Sequence, residues 1–170
     1  MTQEQREYII HIKGKGYYNF WEETNTPRPQ AKTFILSNVK EELKSTSSSK
    51  RETTNKIIWL AIALPDSDLK LEILHELLLM PGHFGHQVVT RELQDIGSPS
   101  SIPYLDQVLE GGFEYLKQSY SGESDESIAK WFSHALASIE TDDAFSIIHK
   151  HTRSPNPVIA QEMNYRIEEL

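Results

Sequence analysis

The apolar positions of this chain change rhythm along its length. From residue 66 onward they recur at three- and four-residue steps, the spacing of a helix that buries one face. Leu69, Ile73, Leu77 and Met80 form one such stripe, ended by Pro81-Gly82. Val89, Leu93 and Ile96 form the next, and Gly97 stands where a left-handed cap is wanted. Ser98-Pro99-Ser100-Ser101 opens a helix with Ile102, Leu105, Val108 and Leu109 inside, closed by Gly111-Gly112. Pro103 fits there only in the first turn. Asp125 or Ser127 opens a helix carrying Ile128, Trp131, Phe132, Ala135, Leu136 and Ile139. Thr141 caps the following one, with Ala144, Phe145 and Ile148. Asn156-Pro157 is a cap and first-turn pair for a last helix holding Ile159, Met163, Ile167 and Leu170. Connections are short, so the expected fold class is all-α.

Residues 1–60 read differently. Tyr8, Ile9, Ile10 and Ile12 precede Gly14-Lys15-Gly16 and the aromatic cluster Tyr17, Tyr18, Phe20 and Trp21. This is either a short helix and loop or a hairpin about the glycines, because a short apolar run does not arbitrate. Ala31, Phe34, Ile35, Val39 and Leu43 predict a helix over about 29–44, with Pro29 in its first turn. Residues 45–54 (STSSSKRETT) are polar and predict a loop. Asn55 to Leu64 is apolar on all sides, a buried helix or a strand, ended by Pro65. The expected organisation is an N-terminal segment over 1–60 and a helical array over 61–170, compact overall.

Within the array the pattern repeats. A shift of 43 residues puts Val89 on Phe132, Leu93 on Leu136, Ile96 on Ile139, Ile102 on Phe145 and Leu105 on Ile148. A further shift of 31 puts Phe132 on Met163, Leu136 on Ile167 and Ile139 on Leu170. Each unit is a helix, a tight turn and a second helix, which buries both its faces only when neighbours stack. The segment IGSPSSIPYLDQVL resembles the HEAT-repeat consensus, in which a helix ends in Ile-Gly, a Ser/Asp-Pro turn follows and the next helix begins with an apolar pair. LASIETDDAFSIIHKHTRSPNPVIAQEMNYRIEEL resembles the next unit and a half. LHELLLMPGHFGHQVVTRELQDIGSPSSIPYL is similar to small bacterial HEAT-like proteins with a His-x-x-His turn, although Gly82 and Gln87 depart from the Trp and Glu usual there. The resemblance covers residues 66–170 and implies a short α-α superhelix, or solenoid.

Composition narrows the function. The chain has 170 residues, no cysteine and a net charge of −8. Disulfide scaffolds, thiolate metal sites and cysteine nucleophiles are excluded. Residues 1–60 carry ten Lys+Arg and seven Asp+Glu, whereas residues 61–170 carry seven and eighteen. An acidic array argues against nucleic-acid and anionic-membrane partners. No apolar run approaches the roughly 20 residues of a membrane span, and the start lacks a signal-peptide layout, so a cytoplasmic location is expected.

Candidate chemistry is sparse. His75, His83 and His86 are the potential metal ligands, but a turn whose imidazoles bond backbone explains them as well. No phosphate loop or nucleophile elbow is present. The expectation is a non-enzyme without catalytic, cofactor or metal residues. In helical solenoids the second helix of each unit lines the concave side, here residues 101–110 and 142–152. The expected partner-binding residues are Tyr104, Asp106, Gln107, Glu110, Glu114, Tyr115 and His149, tyrosine beside carboxylates being typical of protein-binding patches. The resemblance further implies an immunity protein that occludes a cognate bacterial toxin, here one with a basic surface. Two alternatives stand beside it: a HEAT-like enzyme, metal-dependent or of glycosylase or lyase type, and a scaffold or adaptor with several partners.

Overall fold

The structure is a computed structural model that describes residues 1–117, 119 and 124–169, with only the backbone of 115 and 117. The described residues form helices and turns and contain no strand. They divide into two compact units, residues 1–77 with 83–85 and residues 78–82 with 86–170.

The first unit is built from α1 (Gln3–His11), α2 (Gly16–Glu23), α3 (Ala31–Lys44), α4 (Lys50–Ile62) and most of α5 (Asp68–Leu79). A reciprocal cap explains the helical start: the Thr2 side chain accepts from the Gln5 amide while the Gln5 side chain accepts from the Thr2 amide. Gly14, at φ +50, turns the chain from α1 into α2, so the ambiguous glycines join two helices. The aromatic residues then form a core. Phe20 is fully buried and lies 5.6, 5.1 and 5.3 Å, centroid to centroid, from Tyr8, Trp21 and Phe34. Around it α4 packs against α1, α2 and α3.

Two expectations need correction here. The polar run over 45–54 is only partly a loop, because α4 begins at Lys50 and buries Thr53 and Thr54 on its inner face. The Glu52–Lys56 ion pair, 2.7 Å long, braces that first stretch one turn apart. Nor is the segment after it apolar-buried throughout, since Trp59 stays 43% exposed.

The second unit contains α6 (His86–Ile96), α7 (Ile102–Glu110), the short α8 (Glu114–Lys117), α9 (Asp125–Ala137), α10 (Asp142–His151) and α11 (Pro157–Glu168). Helix α9 packs against α6, α7, α10 and α11, and α10 also packs against α7 and α11. Several positions equivalent in the sequence repeat have equivalent structure. Val89, Phe132 and Met163 are fully buried on α6, α9 and α11. After α6 and α9 the chain passes through a left-handed residue, Gly97 at φ +62 and Glu140 at φ +55, which are 43 positions apart. The next residue caps the following helical turn in each: Ser98 accepts from the Ser100 amide and Thr141 from the Ala144 amide. Asn156 caps α11 through Val158, and Pro103 lies in the first turn of α7.

Candidate functional site

Most of the expected contact residues lie on or just after α7 and α10. Gln107, Glu110, Glu114 and His149 are exposed, whereas Tyr104 and Asp106 are half-buried. Tyr115 lies in α8, its side chain outside the described residues. The carboxylates of Asp106 and Glu110 are both engaged. Lys150 Nζ donates to both Asp106 oxygens at 2.9 and 2.7 Å and to Glu110 Oε1 at 2.6 Å. His151 Nε2, nearly buried, lies 2.6 Å from Asp106 Oδ1. Partial burial works to raise the Asp106 carboxyl, but the Lys150 and His151 hydrogen bonds outweigh it and hold the group below its ordinary value. Asp106 and Glu110 therefore tie α7 to α10 before any partner arrives.

The histidines of the turn after α5 serve the backbone. His83 Nδ1 accepts from the Gly85 amide at 3.0 Å, which places the proton on Nε2, 2.8 Å from the Leu77 carbonyl. His86 Nε2 lies 2.9 Å from the Met80 carbonyl. Both rings thus meet carbonyls at and just beyond the end of α5, where a helix has orphan acceptors. Burial pushes His83 down to about 4, and His75, also buried, to about 4. Among the described residues, no group of three or more metal-ligating side chains gathers.

An opening of the second unit lies along the first helices of its repeats. A groove of about 550 Å³ between α6 and α9 is lined by Gln87, Val88, Arg91, Gln94, Lys130, Trp131 and His134. A second, of about 300 Å³ between α9 and α11, is lined by Glu126, Lys130, Val158, Gln161, Glu162 and Tyr165. The linings follow the sequence repeat. Shifts of 43 and 31 relate Gln87, Lys130 and Gln161, then Val88, Trp131 and Glu162, then Arg91, His134 and Tyr165. One helical face, presented by three successive first helices, makes both grooves.

Beneath that face lies a polar cluster. Ser133 is fully buried and donates to Glu162 Oε1 at 2.5 Å. Arg166 Nη2 reaches Glu162 at 3.2 Å and His134 Nε2 at 2.9 Å. An arginine nitrogen only donates, so His134 Nε2 accepts and the neutral ring carries its proton on Nδ1. Burial lowers the His134 pKa first, and the charges of Arg166, Lys130 and Arg91 lower it further against Glu162.

Sequence reasoning passed over this site for a physical reason. Trp131 follows the apolar stripe and reads as core, yet it is half-buried and walls the groove. Arg91, Lys130 and His134 read as ordinary solvated positions on separate helices. The signal that gathers them was available in the repeat shift itself, applied to polar rather than apolar positions. No known protein family, curated protein or solved structure matches this chain.

Proposed function

We propose that the chain is a HEAT-like helical-repeat protein that acts without catalysis by binding another protein, in the manner of an immunity protein that occludes a toxin. One observation carries this reading: repeat-equivalent positions on α6, α9 and α11 line successive open grooves in a common register. Such a ladder suits an extended macromolecular surface, whereas a catalytic pocket gathers unlike groups at one point. The hydroxyl of Ser133 supports the same reading, being buried and already hydrogen-bonded rather than presented as a nucleophile. On the α7 and α10 side, Gln107, Glu114 and His149 are exposed and offer a secondary contact for a basic partner surface.

Co-expression with the product of the adjacent gene tests the proposal. A tight 1:1 complex that co-purifies and relieves the partner's toxicity is expected. Failure to bind that product and to relieve toxicity overturns the immunity role, and weak capture of several unrelated proteins favours an adaptor.

A further inference from the structure

Charge is distributed unevenly within the second unit. Residues 86–170 carry fourteen Asp+Glu and only six Lys+Arg. Three of those six cations, Arg91, Lys130 and Arg166, nevertheless stand on or directly behind the α6–α9 groove. Among the described residues that line this groove, none is acidic. Asp95 draws the Arg91 side chain along α6, with its oxygens 3.1 and 3.3 Å from Nε, and a guanidinium has two further nitrogens that donate. The neighbouring α9–α11 groove differs, since Glu126 and Glu162 join Lys130 there.

The α6–α9 groove is rich in hydrogen-bond donors. Arg91 and Lys130 donate as cations, and His134, held by Arg166 at Nε2, donates from Nδ1 when neutral. Gln87 and Gln94 add amides, while Val88 and Trp131 supply an apolar wall. A volume of about 550 Å³ accommodates a few side chains rather than a whole domain.

We propose that the α6–α9 groove is the receptor for an acidic segment of the protein partner, taking carboxylates at Arg91, Lys130 and His134 and an adjacent apolar side chain against Trp131 and Val88. This rests on the protein-binding reading above and assigns its recognition chemistry. The assignment reverses what the net charge suggests, because an acidic chain is expected to seek a basic surface. Here the acidic surroundings repel a loosely placed anion and admit one only at the groove, so the site gains specificity at some expense of association rate.

The test uses the full chain and capped pentapeptides as probes. Acetyl-Asp-Glu-Leu-Glu-Asp-amide and acetyl-Lys-Arg-Leu-Arg-Lys-amide are titrated while the indole and imidazole resonances are followed, those of Trp131 and His134 being assigned with Trp131→Phe and His134→Gln. Saturable shifts of both groups with the acidic peptide are expected. Arg91→Glu combined with Lys130→Glu should weaken it roughly tenfold or more, at unchanged helicity. Should that variant not fold, Arg91→Gln with Lys130→Gln is expected to weaken binding and flatten its salt dependence. No shift at Trp131 and His134 with millimolar acidic peptide overturns the proposal, and so does an equal response to the basic one. Tighter saturation of the same residues by a thymidine oligonucleotide replaces it with a single-strand nucleic-acid site. The outcome is separable from the immunity reading, because peptide binding without capture of the adjacent gene product leaves the groove assigned and removes only that partner.

Discussion

The two compact units hold themselves together by different means. In the first, Phe20 gathers Tyr8, Trp21 and Phe34 in an aromatic cluster whose members come from three helices without a common spacing. In the second, the same few devices recur: a fully buried residue at 89, 132 and 163, a left-handed residue at 97 and 140, a hydroxyl cap after each. Irregular contacts make a core without making equivalent surface positions. Repetition does both, because fixing the buried face in register also fixes the face opposite, and the grooves follow from that.

Removing a core ring from each unit breaks the comparison most forcefully. Phe20→Ala and Phe132→Ala each empty a fully buried site and are expected to cost about 3–5 kcal/mol. Peptide-resolved hydrogen exchange should place the loosening of Phe20→Ala around Tyr8, Trp21 and Phe34. For Phe132→Ala it should fall around Phe113, which stacks on that ring at 5.7 Å.

A smaller effect separates a single-use contact from the repeated ones. His83 is neutral in the folded chain, with a pKa near 4 set by burial, against about 6.5 when unfolded. Above pH 6.5 both states are neutral and nothing is lost. Between 6.5 and about 4 the unfolded chain takes up a proton that the folded one refuses, so stability falls as pH falls. The total reaches about 3 kcal/mol below pH 4. Urea midpoints measured from pH 7.5 to 5 should show this slope, and His83→Gln should reduce it while also weakening the protein at pH 7.5.

The smallest effects test the repeat itself. Gly97→Ala puts a Cβ 3.1 Å from the Ser138 carbonyl oxygen on a left-handed backbone, with an expected loss of about 1–2 kcal/mol. Glu140→Gly at the equivalent position relieves strain and is expected to gain about 0.5–1 kcal/mol. Opposite signs at two positions 43 residues apart sharpen the comparison, and equal signs argue that the two turns are not equivalent.

The same contrast explains how much was readable beforehand. Helices α6, α7, α9, α10 and α11 were legible because each sets an apolar stripe against a polar face, helped in places by a cap such as Thr141 or Asn156 or a stop such as Gly97. The start of α4 was not, because Lys50 to Asn55 carries no apolar period and Thr53 and Thr54 are buried by tertiary packing alone. Gly14 and its neighbours stayed ambiguous for want of a long enough run. The expected contact residues on α7 marked exposure without revealing that Lys150 engages Asp106 and Glu110 across 40 or more residues. The α6–α9 groove was hidden more deeply, since Arg91 and His134 become neighbours only when two repeats are laid side by side.

Hydrogen–deuterium exchange of the chain alone and in complex with the adjacent gene product tests the binding surface most directly. Slowed exchange in the complex is expected across residues 87–94, 130–134 and 161–166, and Arg91→Glu with Lys130→Glu should diminish it. A stable complex whose footprint spares those three segments, or whose strength is indifferent to that double substitution, contradicts the assignment of the repeat face as the place where the protein meets its partner.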